Sequence, residues 1–127
     1  MTTHLPQIEE LDQYLEVQFE LGSYVDQSVM EYVHHQYLKN NDPRSVMLIA
    51  NELLYMDRAA MNVLAQDEVA AQINSLVFVV RTEVEKLFAR SLLERLAPIY
   101  PVKITTQYQK AKEWLLAQQD SGRQQYA

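Results

Sequence analysis

The chain has 127 residues, 48% of them hydrophobic and 22% charged, with 17 Asp and Glu against 11 Lys and Arg for a formal net charge of −6. That size and composition fit one globular domain over residues 1–127, with residues 1–6 and 121–127 expected to be flexible ends. Gly22 and Gly122 are the only glycines, which excludes glycine-rich phosphate cradles, and the absence of cysteine excludes thiol nucleophiles, disulfides and thiolate metal sites.

Residues 1–12 carry neither a basic segment nor an apolar stretch, so no secretory signal is expected. The longest wholly apolar runs, 46–50 and 76–80, are five residues each, far short of the ~20 that span a bilayer. A soluble, cytoplasmic protein is the expectation.

Patterning reads as helical almost throughout. A first helix is expected over residues 7–39, with Pro6 ahead of it and Glu9, Glu10 and Asp12 in its opening turns, where they complement the helix dipole. Tyr14, Val17, Leu21, Val25 and Tyr32 form its apolar stripe, and Ser23 with Asp26 offers a capping box should the helix break at Gly22. Asp42-Pro43 marks a turn and the cap of a second helix. Its seam is Val46, Ile49, Leu53, Met56, Ala60 and Val63, at alternating spacings of three and four. Asp67 is expected to cap a third helix, 68–96, with the seam Ile73, Val77, Val80, Val84 and Leu87. Residues 76–80 are apolar all round. A β-strand over 76–81 is the competing reading, because Val and Phe favour strands, but no turn residues bound the run. Pro98 and Pro101 end the third helix and force an unusually apolar connection over 99–104. A fourth helix starts near Thr106, turns Tyr108, Ala111, Trp114 and Leu115 inward, and stops near Gly122. The expected fold is therefore all-α: an antiparallel bundle of four helices, or five if the first one breaks, three long and the C-terminal one shorter.

No motif names a reaction. Glu31 and His34 have the spacing of one Glu-x-x-His, the half-motif that di-iron bundles take from two of their helices, but a second copy is absent. A metal-binding bundle enzyme using Glu31, His34 and neighbouring carboxylates is the alternative reading; the leading one has no enzymatic activity, cofactor or metal.

Charge layout says more. Residues 1–38 hold seven acidic residues and no Lys or Arg. On the expected helix Glu9, Asp12, Glu16 and Glu20 share one face that continues to Glu31, and such like-charged neighbours disfavour a helix unless something cationic relieves them. Within the chain, Arg81, Lys86, Arg90 and Arg95 could do so; outside it, a basic protein surface could, with Tyr24 among the interleaved tyrosines adding contact area. The ordinary reading of such a face is a solvated one. Net charge and the lack of a basic run argue against direct nucleic-acid or membrane binding. The sequence thus points to a small acidic interaction protein of the adaptor, inhibitor, immunity or chaperone type. It would bind a basic partner through Glu9, Asp12, Glu16, Glu20, Tyr24 and Glu31. A homodimer is expected through Leu76, Phe78, Val79, Ile99 and Tyr100.

Overall fold

The apolar run at 76–80 belongs to a β-strand, and the molecule is built around a mixed sheet, so the expected all-α helical bundle is corrected. The computed structural model describes residues 5–20, 25–39, 42–50 and 56–126, with side chains described as far as residue 118. Five strands, β1 (Gln7–Glu10), β2 (Tyr14–Gln18), β3 (Arg44–Ile49), β4 (Ile73–Val79) and β5 (Val102–Thr105), lie side by side in sequence order. β1 and β2 form an antiparallel hairpin, and the other pairings are parallel.

Parallel neighbours need crossover connections, and the chain supplies helices for them. α1 (Gln27–Val33) runs on into a π-helical turn, His34–Leu38, before β3. α2 (Arg58–Val63) and α3 (Asp67–Ala70) lead to β4, α4 (Glu83–Leu96) joins β4 to β5, and α5 (Tyr108–Tyr126) follows β5. Each face of the sheet has its own hydrophobic cluster. Leu15, Val17, Val46, Leu48, Leu76 and Phe78 point into the larger one, with residues of α1, α2, α3 and α4. Met47, Val77 and Val79 point the other way, against Ala111 and Leu115 of α5.

This two-sided cover explains why the strands read as helix. A strand in a parallel sheet with both faces buried is a near-continuous hydrophobic run, without the alternation that betrays a half-exposed strand. β3 is buried at Ser45, Val46, Met47 and Leu48, and β4 from Ser75 to Val79. Such runs satisfy a helical spacing as well as any other. The expected second helix is therefore β3 and α2, and the expected third is α3, β4 and α4. The expected first helix is β1, β2 and α1. Leu21, Gly22, Ser23 and Leu53 lie outside the described residues.

Asp26 is itself the N-cap of α1, where patterning sets it behind a Ser23 cap: it accepts from the Ser28 hydroxyl at 2.6 Å and the Val29 amide at 3.1 Å, and these hydrogen bonds hold its carboxyl below the usual range. Asp57 caps α2 and Thr82 caps α4 in the same way. Asp42-Pro43 precedes a strand, not a helix. α4 ends at Ala97, whose φ of 45° lies in the left-handed region usually given to glycine. α5 buries Ala111 and Leu115 as expected but leaves Tyr108 exposed, and it passes through Gly122 without stopping. Among the described residues no helix is long and apolar enough to cross a membrane.

Candidate docking surface

α4 is amphipathic, but only part of its apolar surface is spent on the core. Ala89 and Leu93 are buried against the sheet, while Val84, Leu87 and Phe88 are 76%, 62% and 41% exposed. Ile99, in the loop that leaves the helix, is 86% exposed. The exposed residues include Val84 and Leu87, which patterning assigns to a buried seam.

Next to this helix runs the last strand of the sheet. Val102 and Ile104 of β5 pack toward the α4 side, and Thr105 is buried on the α5 side. Between α4 and β5 lies a groove of about 510 Å³. Leu93, Val102 and Ile104 line it with apolar surface, joined by Pro98 and Tyr100. Lys86 and Arg90 supply two cations to the same groove against one carboxylate, Glu94, while Lys103 adjoins it on β5 with its side chain on the opposite face of the strand from Val102 and Ile104. Among the described residues no ion pair ties any of these three cations to an acid. A smaller hollow of about 230 Å³ on the α2 side of α4 is lined by Arg58, Met61, Asn62, Leu92, Arg95 and Leu96, so α4 has cation-bearing hollows on both flanks.

Tyr100 is rigidly placed. Its hydroxyl donates to the Leu64 carbonyl at 2.7 Å, and burial pushes the phenol well above its usual range.

The acidic residues do not form one helical face. Glu9 and Glu16 sit directly opposite each other on β1 and β2, Asp12 is in the hairpin turn, and Glu20 is just past β2. Glu9, Asp12 and Glu20 are exposed at the far edge of the sheet from α4. Glu16 turns under α5, where its carboxylate faces the Tyr108 hydroxyl, itself 3.2 Å from the Tyr14 hydroxyl. The carboxylate first, and Tyr14 second, hold the Tyr108 phenol well above its ordinary range. One oxygen of Glu16, Oε1, is enclosed with no hydrogen-bond partner among the described residues. Glu31 is on α1, taking a 2.7 Å hydrogen bond from Gln27, and Tyr24 lies outside the described residues. The cations of α4 do not reach this acidic edge. Arg44 does, at 3.4 Å from Glu10.

His34 is buried in the π-helical turn, its ring 5.3 Å from that of His35. Burial, with the neighbouring His35, lowers its pKa from the ordinary 6.5. Among the described residues no three His, Asp or Glu side chains gather as a metal site would require, so Glu31 and His34 gain no companions. Leu76, Phe78 and Val79 are interior strand residues and Tyr100 is buried, so of the five residues expected to self-associate only Ile99 lies on the surface.

Patterning groups Lys86 and Arg90 with Arg81 and Arg95 as the basic part of a helix but misses the groove they share with β5. The clue was Val102-Lys103-Ile104-Thr105, a short apolar–polar alternation characteristic of an edge strand.

A solved structure from Shewanella loihica PV-4, described as an uncharacterized protein of the DUF3478 family with a SpoIIAA-like fold, is similar to this chain at a TM-score of 0.54 and 12% identity. The match covers 91% of this chain and 98% of that one. At that identity the likeness is one of fold, and it places the five-stranded sheet and its helices in the SpoIIAA-like class. No curated protein matches the chain. The family described as a domain of unknown function, DUF7793, matches residues 10–119, nearly the whole of the sheet and its helices, and the chain belongs to that family.

Proposed function

We propose that the chain is a non-enzymatic, cytoplasmic protein-interaction domain that docks a partner on its α4–β5 side. One observation carries the reading. Of the six large hydrophobic side chains exposed among the described residues, Val84, Leu87, Phe88 and Ile99 lie on α4 or the loop that leaves it. Scattered exposed apolar residues need no explanation, but three of them on one face of a single helix, Val84, Leu87 and Phe88, are the usual mark of a contact surface. The sheet provides a stiff platform, since β4 is packed on both faces and Val102 and Ile104 tie β5 to the larger cluster.

The acidic edge supports a second reading, in which Glu9, Asp12 and Glu20 meet a basic partner, because all three side chains are exposed together on or beside the β1–β2 hairpin. Photocrosslinking in cells separates the two. A photoreactive residue at Leu87 or Ile99 is expected to give covalent adducts with another protein, and one at Gln7 is not. Adducts from Gln7 alone would move the contact to the acidic edge and refute the α4–β5 reading.

A further inference from the structure

We propose that the groove between α4 and β5 binds an extended, carboxylate-bearing segment of a partner protein, which adds to the sheet as a sixth strand beside β5. This rests on the docking reading above and states what occupies that face.

The backbone argument comes from the register. Leu76 pairs with Val102 and Phe78 with Ile104, and the Leu76 and Val80 amides donate to the Pro101 and Thr105 carbonyls at 2.9 and 3.0 Å. In a parallel ladder this pattern turns the backbone groups of residues 101, 103 and 105 toward β4. Those of Val102 and Ile104 then point outward, where no described strand lies. An outward row of N–H and C=O groups is a template for another chain. Strand addition at such an edge draws affinity from main-chain hydrogen bonds and selectivity from pockets that take alternate side chains.

Side chains set the chemistry. The apolar floor of Leu93, Val102 and Ile104 suits the apolar residues of an incoming strand, and the α4 cations Lys86 and Arg90 outnumber Glu94 two to one around it. A cationic groove on a chain of net charge −6 is matched by carboxylates, not by a basic segment. The opposite edge strand, β1, carries exposed Glu9 and Glu10, so the two edges of the sheet differ in charge.

The test uses the whole purified chain and a fluorescein-labelled peptide of about ten residues, a typical strand length, with alternating Val and Glu. A matching peptide has Lys in place of Glu. The acidic peptide is expected to bind at least about tenfold more tightly than the basic one, and to weaken as salt rises. In the nitrogen-15 NMR spectrum it should protect the Val102 and Ile104 amides from solvent exchange. Reversing the two α4 cations of the groove, Lys86→Glu with Arg90→Glu, should weaken binding about tenfold, and salt dependence on the unmodified chain supplies the same answer if that variant is unstable. Equal affinity for the two peptides, binding that leaves Val102 and Ile104 unprotected, or a groove filled by a second copy that the peptide does not displace would overturn the proposal. Crosslinks from Leu87 or Ile99 without acidic-peptide binding would refute strand addition and leave the docking face standing. Peptide binding in the absence of those crosslinks would do the reverse.

Discussion

Replacing Phe78 by Ala and, separately, Leu87 by Ala distinguishes the sheet from a helical bundle more sharply than any spectroscopic average. In a bundle Leu87 lies on the buried seam and Phe78 beside it. Here Phe78 is 0% exposed at the middle of β4, packed beneath the helices of the larger face, and Leu87 is 62% exposed. Truncating a fully buried Phe costs about 3–5 kcal/mol, from lost apolar burial and the cavity left behind. Removing a mostly exposed Leu side chain costs no more than about 0.5 kcal/mol. Domains of this kind hold ~5–15 kcal/mol in all, so Phe78→Ala removes a large share and leaves a foldable protein only if the parent is well above the low end. Urea unfolding followed by circular dichroism reads both. With a slope of about 2 kcal/mol per molar urea, the midpoint falls by roughly 2 M for Phe78→Ala and by roughly 0.25 M or less for Leu87→Ala. A Leu87→Ala loss equal to that of Phe78→Ala would refute the sheet and restore the helical seam.

Tyr100→Phe leaves the buried Leu64 carbonyl without its 2.7 Å donor and should cost about 1–3 kcal/mol by the same unfolding assay. Ala97→Gly should stabilise by about 1 kcal/mol, because φ of 45° strains an L-residue with a Cβ and suits glycine; a loss of stability would contradict the left-handed cap. His34 makes stability depend on pH. Its pKa is lowered in the fold, so below the ordinary value of 6.5 the unfolded chain binds the proton first and stability falls as pH drops through 6.5 toward the folded-state value. His34→Gln should flatten that stretch of the profile, measured as urea midpoint against pH, and an unchanged slope would place the effect elsewhere.

What could be read from the residues was local. The end of α4 before Pro98 and the inward face of α5 at Ala111 and Leu115 are written in short-range chemistry, and patterning finds them. The sheet depends on which segments lie beside which. Val46 and Ile49 stand three apart in β3, and Ala60 and Val63 stand three apart in α2; one spacing serves both because β3 is buried on two faces. The run at 76–80 offers Val and Phe in strand-like density, yet the strand starts ahead of it at Ile73 and takes in Asn74 and Ser75, so nothing in the run marks where the strand begins. The acidic bias of residues 1–38 is real, but its reading as a helical face fails once Glu9 faces Glu16 across a hairpin. The groove takes its cations from α4 and its apolar floor partly from β5, and the sequence separation of Lys86 from Val102 hides their meeting until the fold brings them together.

Native-state hydrogen exchange on the unliganded chain tests most directly whether β5 is an open edge beside its groove. The register predicts alternation. The Lys103 and Thr105 amides, turned toward β4, should exchange slowly, and those of Val102 and Ile104, turned outward, should exchange fast. Four equally protected amides would mean that the edge is already covered, and four equally fast ones that β5 is not a strand of the sheet.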